Sequence, residues 1–226
     1  MSKRTRGKVS IVDYAAGNLF SVENACKTVG LHPVIVNKPE DIIKAQALIL
    51  PGVGAFGEAM ENLHKLDLVQ PLRDFASSGK PFMGICLGMQ LLFSESEEFG
   101  HHEGLNLIEG TIRKFPTISE NLEKVKVPQI GWNQIFRPSE LRNRWDNSPL
   151  SQVVSGEFMY FIHSYYASPF NSDDILSVTD YEGIKYCSAV IKDNIFATQF
   201  HPEKSAKEGI KIYQYWANIV EHNQYL

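Results

Sequence analysis

The first half of the chain alternates between two spacings of apolar residues. Val9–Tyr14 (VSIVDY) is a short β-branched run and reads as a buried strand. In GNLFSVENACKTVG, Leu19, Val22, Ala25, Cys26 and Val29 recur at helical spacing, and Gly30 stops the helix. PVIVN (Pro33–Asn37) reads as a second strand and PEDIIKA as a short helix opened by Pro39. ALILPG (Ala47–Gly52) is a third strand, followed by one long helix from about Gly57 to Ser78. PFMGI is a fourth strand, and LGMQLLFSESEEF the helix after it. Strand and helix in this alternation predict a parallel sheet covered on both faces. The second half is mostly strand-like: LIEGTIRKF, VPQIGWNQI, FMYFIHSYYA, DILSVTDYEG and YCSAVIKDNIFATQF. Within the last of these, Asp193-Asn194 is a hairpin turn pair. FPTISENLEKVK and RPSELRNRWDNSP read as polar connections, and SAKEGIKIYQYWANIVEHN as a closing amphipathic helix. The expected architecture is α/β: an open, mostly parallel central sheet, helices on both faces and added antiparallel strands. No repeat or linker divides the chain, so one domain over residues 1–226 is expected, with residues 1–8 a flexible tail.

Composition narrows the function classes. With 226 residues, 43% hydrophobic and 21% charged, the chain is of ordinary globular type. The formal net charge of -4, with no Lys/Arg stripe interleaved with aromatics, argues against a nucleic-acid partner. The one basic run, Ser2–Lys8, lies at the terminus and reads as a solvated tail. No apolar run approaches the roughly 20 residues of a membrane span, and VSIVDY is too short for a signal-peptide core. A cytoplasmic protein is expected. Cys26, Cys86 and Cys187 are widely separated, which is neither a disulfide framework nor a metal spacing, so free thiols and no metal are expected.

Cys86 stands apart from the other two. A cysteine beside an apolar strand is more often a core residue. Here the strand ends at Ile85, a helix begins at Leu87, and Gly84 and Gly88 flank the cysteine. That is the nucleophile-elbow frame G-x-Nuc-x-G with cysteine as the nucleophile. It needs a tight, strained turn, and glycines where strand and helix nearly touch. It also sets the thiol at the carboxyl end of a parallel strand and at a helix N-terminus, which favours a thiolate. A thiolate needs a base. His32, His64, His101, His102 and His222 read as solvated, in loops or on helix surfaces. His163 and His201 differ, and His201 stands just past an apolar strand in FATQFHPEKS. In an extended segment Glu203, at i+2, points to the same side and can hold Nδ1, leaving Nε2 for Cys86. Nucleophile, base and orienter make a triad. A third element, PGVGAF (Pro51–Phe56), offers backbone N–H groups for an oxyanion or a phosphate, and serves equally as an ordinary tight turn. It has neither a P-loop Lys nor a dinucleotide fingerprint, and no cofactor is expected.

GICLGMQLLF, HPEKS and PGVG, in this order, resemble the class I (triad-type) glutamine amidotransferases. IVDYAAGNLFSVENA, PQIGWN and YFIHSYYA bring the resemblance closer to one branch, the glutaminase subunits of imidazole glycerol phosphate synthases, from about Val9 to Val220. The resemblance implies a flavodoxin-like amidotransferase fold. It implies that L-glutamine is hydrolysed to glutamate and ammonia, and that the ammonia passes to a (β/α)₈ cyclase subunit in a heterodimer of histidine biosynthesis. Carried over by position, Cys86 is the nucleophile, His201 the base and then acid, and Glu203 its orienter. The backbone N–H groups of Val53 and Leu87 are the oxyanion donors. Gly52, Gly54, Gln90, Ser164 and Tyr165 fall at substrate positions; Tyr160, Lys204, Trp132 and Asn18 at the interface and ammonia passage. The Gly52–Val53 peptide is implied to reorient before its N–H faces the site. One departure is visible: the family's DYGxGN is here DYAAGN, with Ala15 for a glycine. The alternatives are a paralogous glutaminase subunit feeding another synthase, such as a modified-sugar amidotransferase, a non-catalytic homologue and a partnerless cysteine hydrolase.

Overall fold

The computed structural model describes residues 7–118, 124–139 and 142–222. Residues 1–6, most of the expected tail, lie outside the described residues; strand β1 already begins at Lys8. In chain order the elements are β1 (Lys8–Val12), α1 (Leu19–Thr28), β2 (His32–Val36), α2 (Pro39–Ile43), β3 (Leu48–Gly52), α3 (Phe56–Lys65), α4 (Val69–Ser77), β4 (Phe82–Cys86) and α5 (Leu87–Leu91). There follow β5 (Phe93–Ser96), β6 (His102–Glu103), β7 (Ile108–Lys114), β8 (Gln129–Ile135), β9 (Glu157–His163), β10 (Tyr165–Pro169), β11 (Ile175–Tyr181), β12 (Ile184–Lys192), β13 (Ile195–Thr198) and α6 (Ala206–His222).

The main sheet runs β2-β1-β3-β4-β13-β12-β10-β7-β5-β6, with β11 also on β12. From β2 to β13 every pairing is parallel; the β12–β13 hairpin, turning through Asp193 at φ 51, then begins an antiparallel stretch through β12, β10 and β7, beyond which β5 pairs with β7 in parallel. Strands β8 and β9 form a separate two-stranded ladder. The central strands are apolar on both faces, as a sheet between two helical layers requires. Ile49 packs with Val22 and Cys26 of α1 and Ile212 and Trp216 of α6. Its neighbours Leu48 and Leu50 pack on the other side with Phe56, Leu63, Leu72 and Phe75 of α3 and α4. Each such buried side chain stabilises by about 1.5–3 kcal/mol. The carboxyl ends of β3 and β4 therefore stand on a rigid base, where open α/β sheets place their ligands.

Several expected elements differ. The long helix over 57–78 is two helices: Asp67 turns left-handed at φ 56, and Leu68 N–H returns to the Leu63 carbonyl at 2.9 Å. Aspartate tolerates that conformation and Pro71 suits a first turn, so the break was encoded locally. The helix expected through LGMQLLFSESEEF ends at Leu91, because Phe93–Ser96 pairs with β7 and β6. FMYFIHSYYA is two strands, β9 and β10, in different sheets. His32 and His102 sit on strands, not in loops or on helices. The connection RPSELRNRWDNSP (residues 140 and 141 lie outside the described residues) carries Trp145, which is fully buried with its indole N–H on the Leu176 carbonyl at 2.6 Å. Ala15, at the family's glycine position, adopts φ 64 and donates its N–H to Asp13 Oδ1 at 3.0 Å. The backbone there keeps the glycine conformation without the glycine.

Candidate active site

Cys86 ends β4 and precedes α5 with φ 55 and ψ -110. A non-glycine residue holds that conformation only where its surroundings impose it. The packing shows what imposes it. A Cβ on Gly88 would overlap the Leu50 carbonyl oxygen of β3, and one on Gly84 would lie 3.0 Å from the Ala197 Cβ of β13. Strand and helix thus meet at glycines, and the cysteine between them is turned out of the sheet. Helix α5 has five residues, so its contribution near the sulfur is a first turn of backbone N–H groups, not a long macrodipole. The thiol is 5% exposed. Sγ lies 3.9 Å from the Ile162 carbonyl oxygen and 3.7 Å from Gln199 Nε2, which donates to it.

His201 follows β13, with its ring Nδ1 2.7 Å from Glu203 Oε1. Both side chains are shut off from water, at 2% and 1% exposure. The expected extended geometry is absent: Pro202–Lys204 is a turn of 3-10 helix with Pro202 leading it, and that turn brings Glu203 back onto the ring. His201 Nε2 is buried with no hydrogen bond of good geometry, so it remains open toward the thiol. Burial by itself would lower the pKa of His201. The charge of Cys86, contact with its sulfur, and Glu203 outweigh burial and raise it to about 10. At neutral pH the imidazole therefore carries both protons, one held by Glu203 and one facing Cys86.

A cavity of about 280 Å³ opens on Cys86. That is small among ligand pockets and suits a single amino acid. Val53, Gly54, Leu87, Gln90, Ser164 and Tyr165 line it, so the structure gathers most of the expected substrate and oxyanion residues around the sulfur. Gly52 stands behind the wall, paired in register with Cys86; a Cβ there would overlap the Tyr14 hydroxyl. Gly54 has φ +106 with open space around it. Trp132, Tyr160 and Lys204 form a second group. The Trp132 and Tyr160 rings meet edge-on at 6.1 Å, and Lys204 Nζ lies 5.8 Å from the Tyr160 ring centre. The Tyr160 carbonyl accepts the His201 N–H at 2.9 Å, tying this group to the base. Asn18 is not in the cavity wall; its side chain caps α1 at the Ser21 N–H, 3.3 Å away.

Sequence reasoning missed Glu98, Gln199 and the part played by His163. Glu98 lines the cavity and accepts the Phe56 N–H at 2.6 Å, leaving a second carboxylate oxygen for a ligand. It was hidden in a segment read as helix. Gln199 carries no motif signal, yet it joins Gln90 to Cys86. His163 is buried in the cavity wall, and burial pushes it down to about 4. Among the described residues no group of His, Cys, Asp and Glu side chains could hold a metal ion, and no helix is long and apolar enough to cross a membrane.

A strained cysteine elbow on a mostly parallel sheet, with a buried His–Glu pair beside it, is the frame of a thiol-dependent amidotransferase. The family model for class-I glutamine amidotransferases matches residues 10–215, and the chain belongs to that family. Among named relatives, the protein "Imidazole glycerol phosphate synthase subunit HisH" of Syntrophotalea carbinolica is 45% identical over 90% of this chain and 96% of its own length. Its namesake in Geobacter metallireducens is 43% identical over 92% of this chain and 97% of its own. Solved structures share the fold at low identity. PurLQS from Thermotoga maritima superposes with a TM-score of 0.69 at 17% identity, covering 94% of this chain and 98% of that one. A Thermotoga maritima glutamine amidotransferase gives 0.60 at 14%, covering 97% and 86%.

Proposed function

We propose that this chain is the glutaminase subunit of an imidazole glycerol phosphate synthase, acting in the cytoplasm. The observation that carries the reading is the strained, buried Cys86 set between a glutamine-sized cavity and the His201–Glu203 pair. The Cys86 thiolate attacks the side-chain carboxamide carbon of glutamine, forming a C–S bond. Negative charge gathers on the amide oxygen, and the N–H groups of Leu87 and Val53 receive it. His201 gives its proton to the departing nitrogen, the C–N bond breaks, and ammonia leaves a glutamyl thioester. The now neutral His201 takes a proton from water, whose oxygen attacks the thioester; the C–S bond breaks and glutamate leaves. Glu203 holds the ring throughout and stabilises its charged form. The Glu98 carboxylate is placed to meet the α-ammonium of the substrate.

The partner surface is supported by the β8–β9 ladder. Ile130, Trp132 and Phe158 are 60%, 53% and 48% exposed, and Ile162 and Tyr160 stand in register with Ile130 and Trp132. A contiguous apolar face of this kind marks an interaction site, and it backs directly onto His201 through Tyr160. A (β/α)₈ cyclase subunit seated there receives the ammonia. The test is Cys86→Ala: the complex with its cyclase loses glutamine-dependent synthesis and keeps synthesis from added ammonia. Glutaminase activity surviving in Cys86→Ala overturns the nucleophile assignment. Co-purification with a diverged barrel of another pathway instead moves the chain to the paralogous reading.

A further inference from the structure

Six hydrogen-bond contacts run as one buried chain from β8 to the nucleophile. Tyr186 O lies 2.9 Å from Gln129 Oε1 and 3.3 Å from His163 Nε2. His163 Nδ1 lies 2.8 Å from the Tyr165 carbonyl oxygen, which also takes an N–H of Gln90 at 2.9 Å. Gln90 donates to Gln199 Oε1 at 2.9 Å, and Gln199 to Cys86 Sγ at 3.7 Å. Gln129, His163, Tyr186, Gln90 and Gln199 are 2%, 7%, 3%, 5% and 0% exposed. Groups this deeply buried need hydrogen-bond partners, and the nearest ones are the members of this chain.

That requirement fixes the direction of the chain. A carbonyl oxygen only accepts, so His163 Nδ1 carries a hydrogen. The imidazole is neutral at pH 7: burial lowers it to about 4, its bond to the Tyr165 carbonyl opposes this, and the charge of His201 adds to it. Nε2 is then a bare acceptor, and the single hydrogen of Tyr186 must point at it. The Gln129 atom facing Tyr186 therefore has to be the donor, Nε2. As placed, with Oε1 toward Tyr186, the carboxamide strands Gln129 Nε2 in the interior with no partner; exchanging its two ends gives Nε2 the tyrosine oxygen. The two ends of a carboxamide are alike in shape, and hydrogen-bond satisfaction decides between them. Thr179, paired with Tyr186 across the β11–β12 ladder, has a buried hydroxyl with no hydrogen bond of its own.

We propose that Gln129 and Tyr186 are positioning residues for the substrate: through His163 they clamp the Tyr165 carbonyl, at the point where the cavity wall passes from β9 to β10. The proposal rests on the glutaminase reading and deepens it. If Gln129 presents an acceptor instead, the Tyr186 hydrogen turns toward it. His163 Nε2 must then donate, and a neutral ring loses the Nδ1 hydrogen that holds Tyr165. Two lone pairs would face each other across 2.8 Å, and Ser164 and Tyr165 would leave their places in the wall.

The test has a spectroscopic arm and a kinetic arm. Long-range ¹H–¹⁵N spectra of the ¹⁵N-histidine-labelled chain at pH 7, with His163→Gln for assignment, should show His163 as the Nδ1–H tautomer. In Gln129→Glu it should change to the Nε2–H tautomer or to imidazolium. In the complex with cyclase and nucleotide, Tyr186→Phe and Gln129→Glu should raise the KM for glutamine about 3- to 10-fold, with kcat within about 2-fold. An Nε2–H tautomer in the unaltered chain overturns the proposal, as does a KM unmoved in both variants. An unaltered complex without glutaminase activity overturns the functional reading, and the spectra then decide the chain's direction on their own.

Discussion

Replacing Glu203 by Gln removes one charge and leaves the shape of the pair. The contact is 2.7 Å between side chains at 2% and 1% exposure, so solvent screens it little. A hydrogen bond to a charged group is worth about 1.5–3 kcal/mol. At 1.36 kcal/mol per pKa unit this lowers His201 by about one to two units. The raised value of His201, about 10, therefore moves down in the variant. It stays above neutrality because the charge of Cys86, which outranks Glu203 among the causes of the rise, is still there. The direction follows from the raised value: the imidazolium is full below the shifted pKa and is lost as pH climbs through it. Glutamine hydrolysis by the complex should therefore keep its acid limb in Glu203→Gln and lose activity one to two pH units earlier on the alkaline side. At pH 7.5 the variant should fall about 10-fold, through looser ring orientation, whereas His201→Ala, with neither acid nor base, should fall at least about 10²- to 10⁴-fold. The assay is ammonia release from pH 6 to 10.5, with iodoacetamide alkylation of Cys86 over the same range. An alkaline limb at the same pH in both proteins would refute the role given to Glu203.

Three further outcomes are expected. The isolated chain should hydrolyse glutamine about 10²- to 10³-fold more slowly than the complex with cyclase and nucleotide, the cost of one missing oxyanion donor at the Gly52-Val53-Gly54 turn; an isolated chain that is fully active refutes this gating and leaves the triad standing. Glu98→Gln should raise the KM for glutamine about 10- to 100-fold with little change in kcat, since it loses a charge-assisted contact to the α-ammonium; an unchanged KM removes Glu98 from the substrate site. Acid should weaken the fold through His163, which is neutral and buried when folded but protonates freely when unfolded. The unfolded chain then binds more protons below pH 6.5, and by the folded value of about 4 roughly 3 kcal/mol is lost. Urea unfolding at pH 7 and pH 4.5, with His163→Gln as reference to cancel Glu98, Asp174 and the charge of His201, should show the larger loss in the unaltered chain.

The parallel half of the fold was legible because its strands carry their own instructions. β1, β3 and β4 are apolar on both faces, and Gly30, Pro39 and Gly79 punctuate the helices between them. Where the reading failed, tertiary pairing overrode local period. FSES follows a helix without a breaker, and only its ladder with β7 makes it a strand. The division of FMYFIHSYYA at Ser164 has no Gly or Pro to mark it either. It is nonetheless the division on which the site depends, because it sends one strand to the exposed β8–β9 face and the next into the main sheet.

The same contrast holds in the site. Cys86, His201 and Glu203 were legible because elbow glycines and an H-P-E run are local patterns with local causes. Even there the physical reason differed, since Glu203 reaches His201 through a 3-10 turn and not along an extended strand. Gln129, His163, Tyr186, Gln90 and Gln199 were opaque as a network. No spacing links five residues on β8, β9, β12, α5 and the end of β13, and each alone looks like a buried polar residue that some neighbour must satisfy. What identifies them is that the demands of each are met only by the next. Gln129 must donate because His163 must accept, and His163 must accept because a carbonyl cannot donate. That constraint exists only once the strands are side by side. The nucleophile is thus written in one stretch of sequence, whereas the wall that presents glutamine to it is written in the order of the sheet.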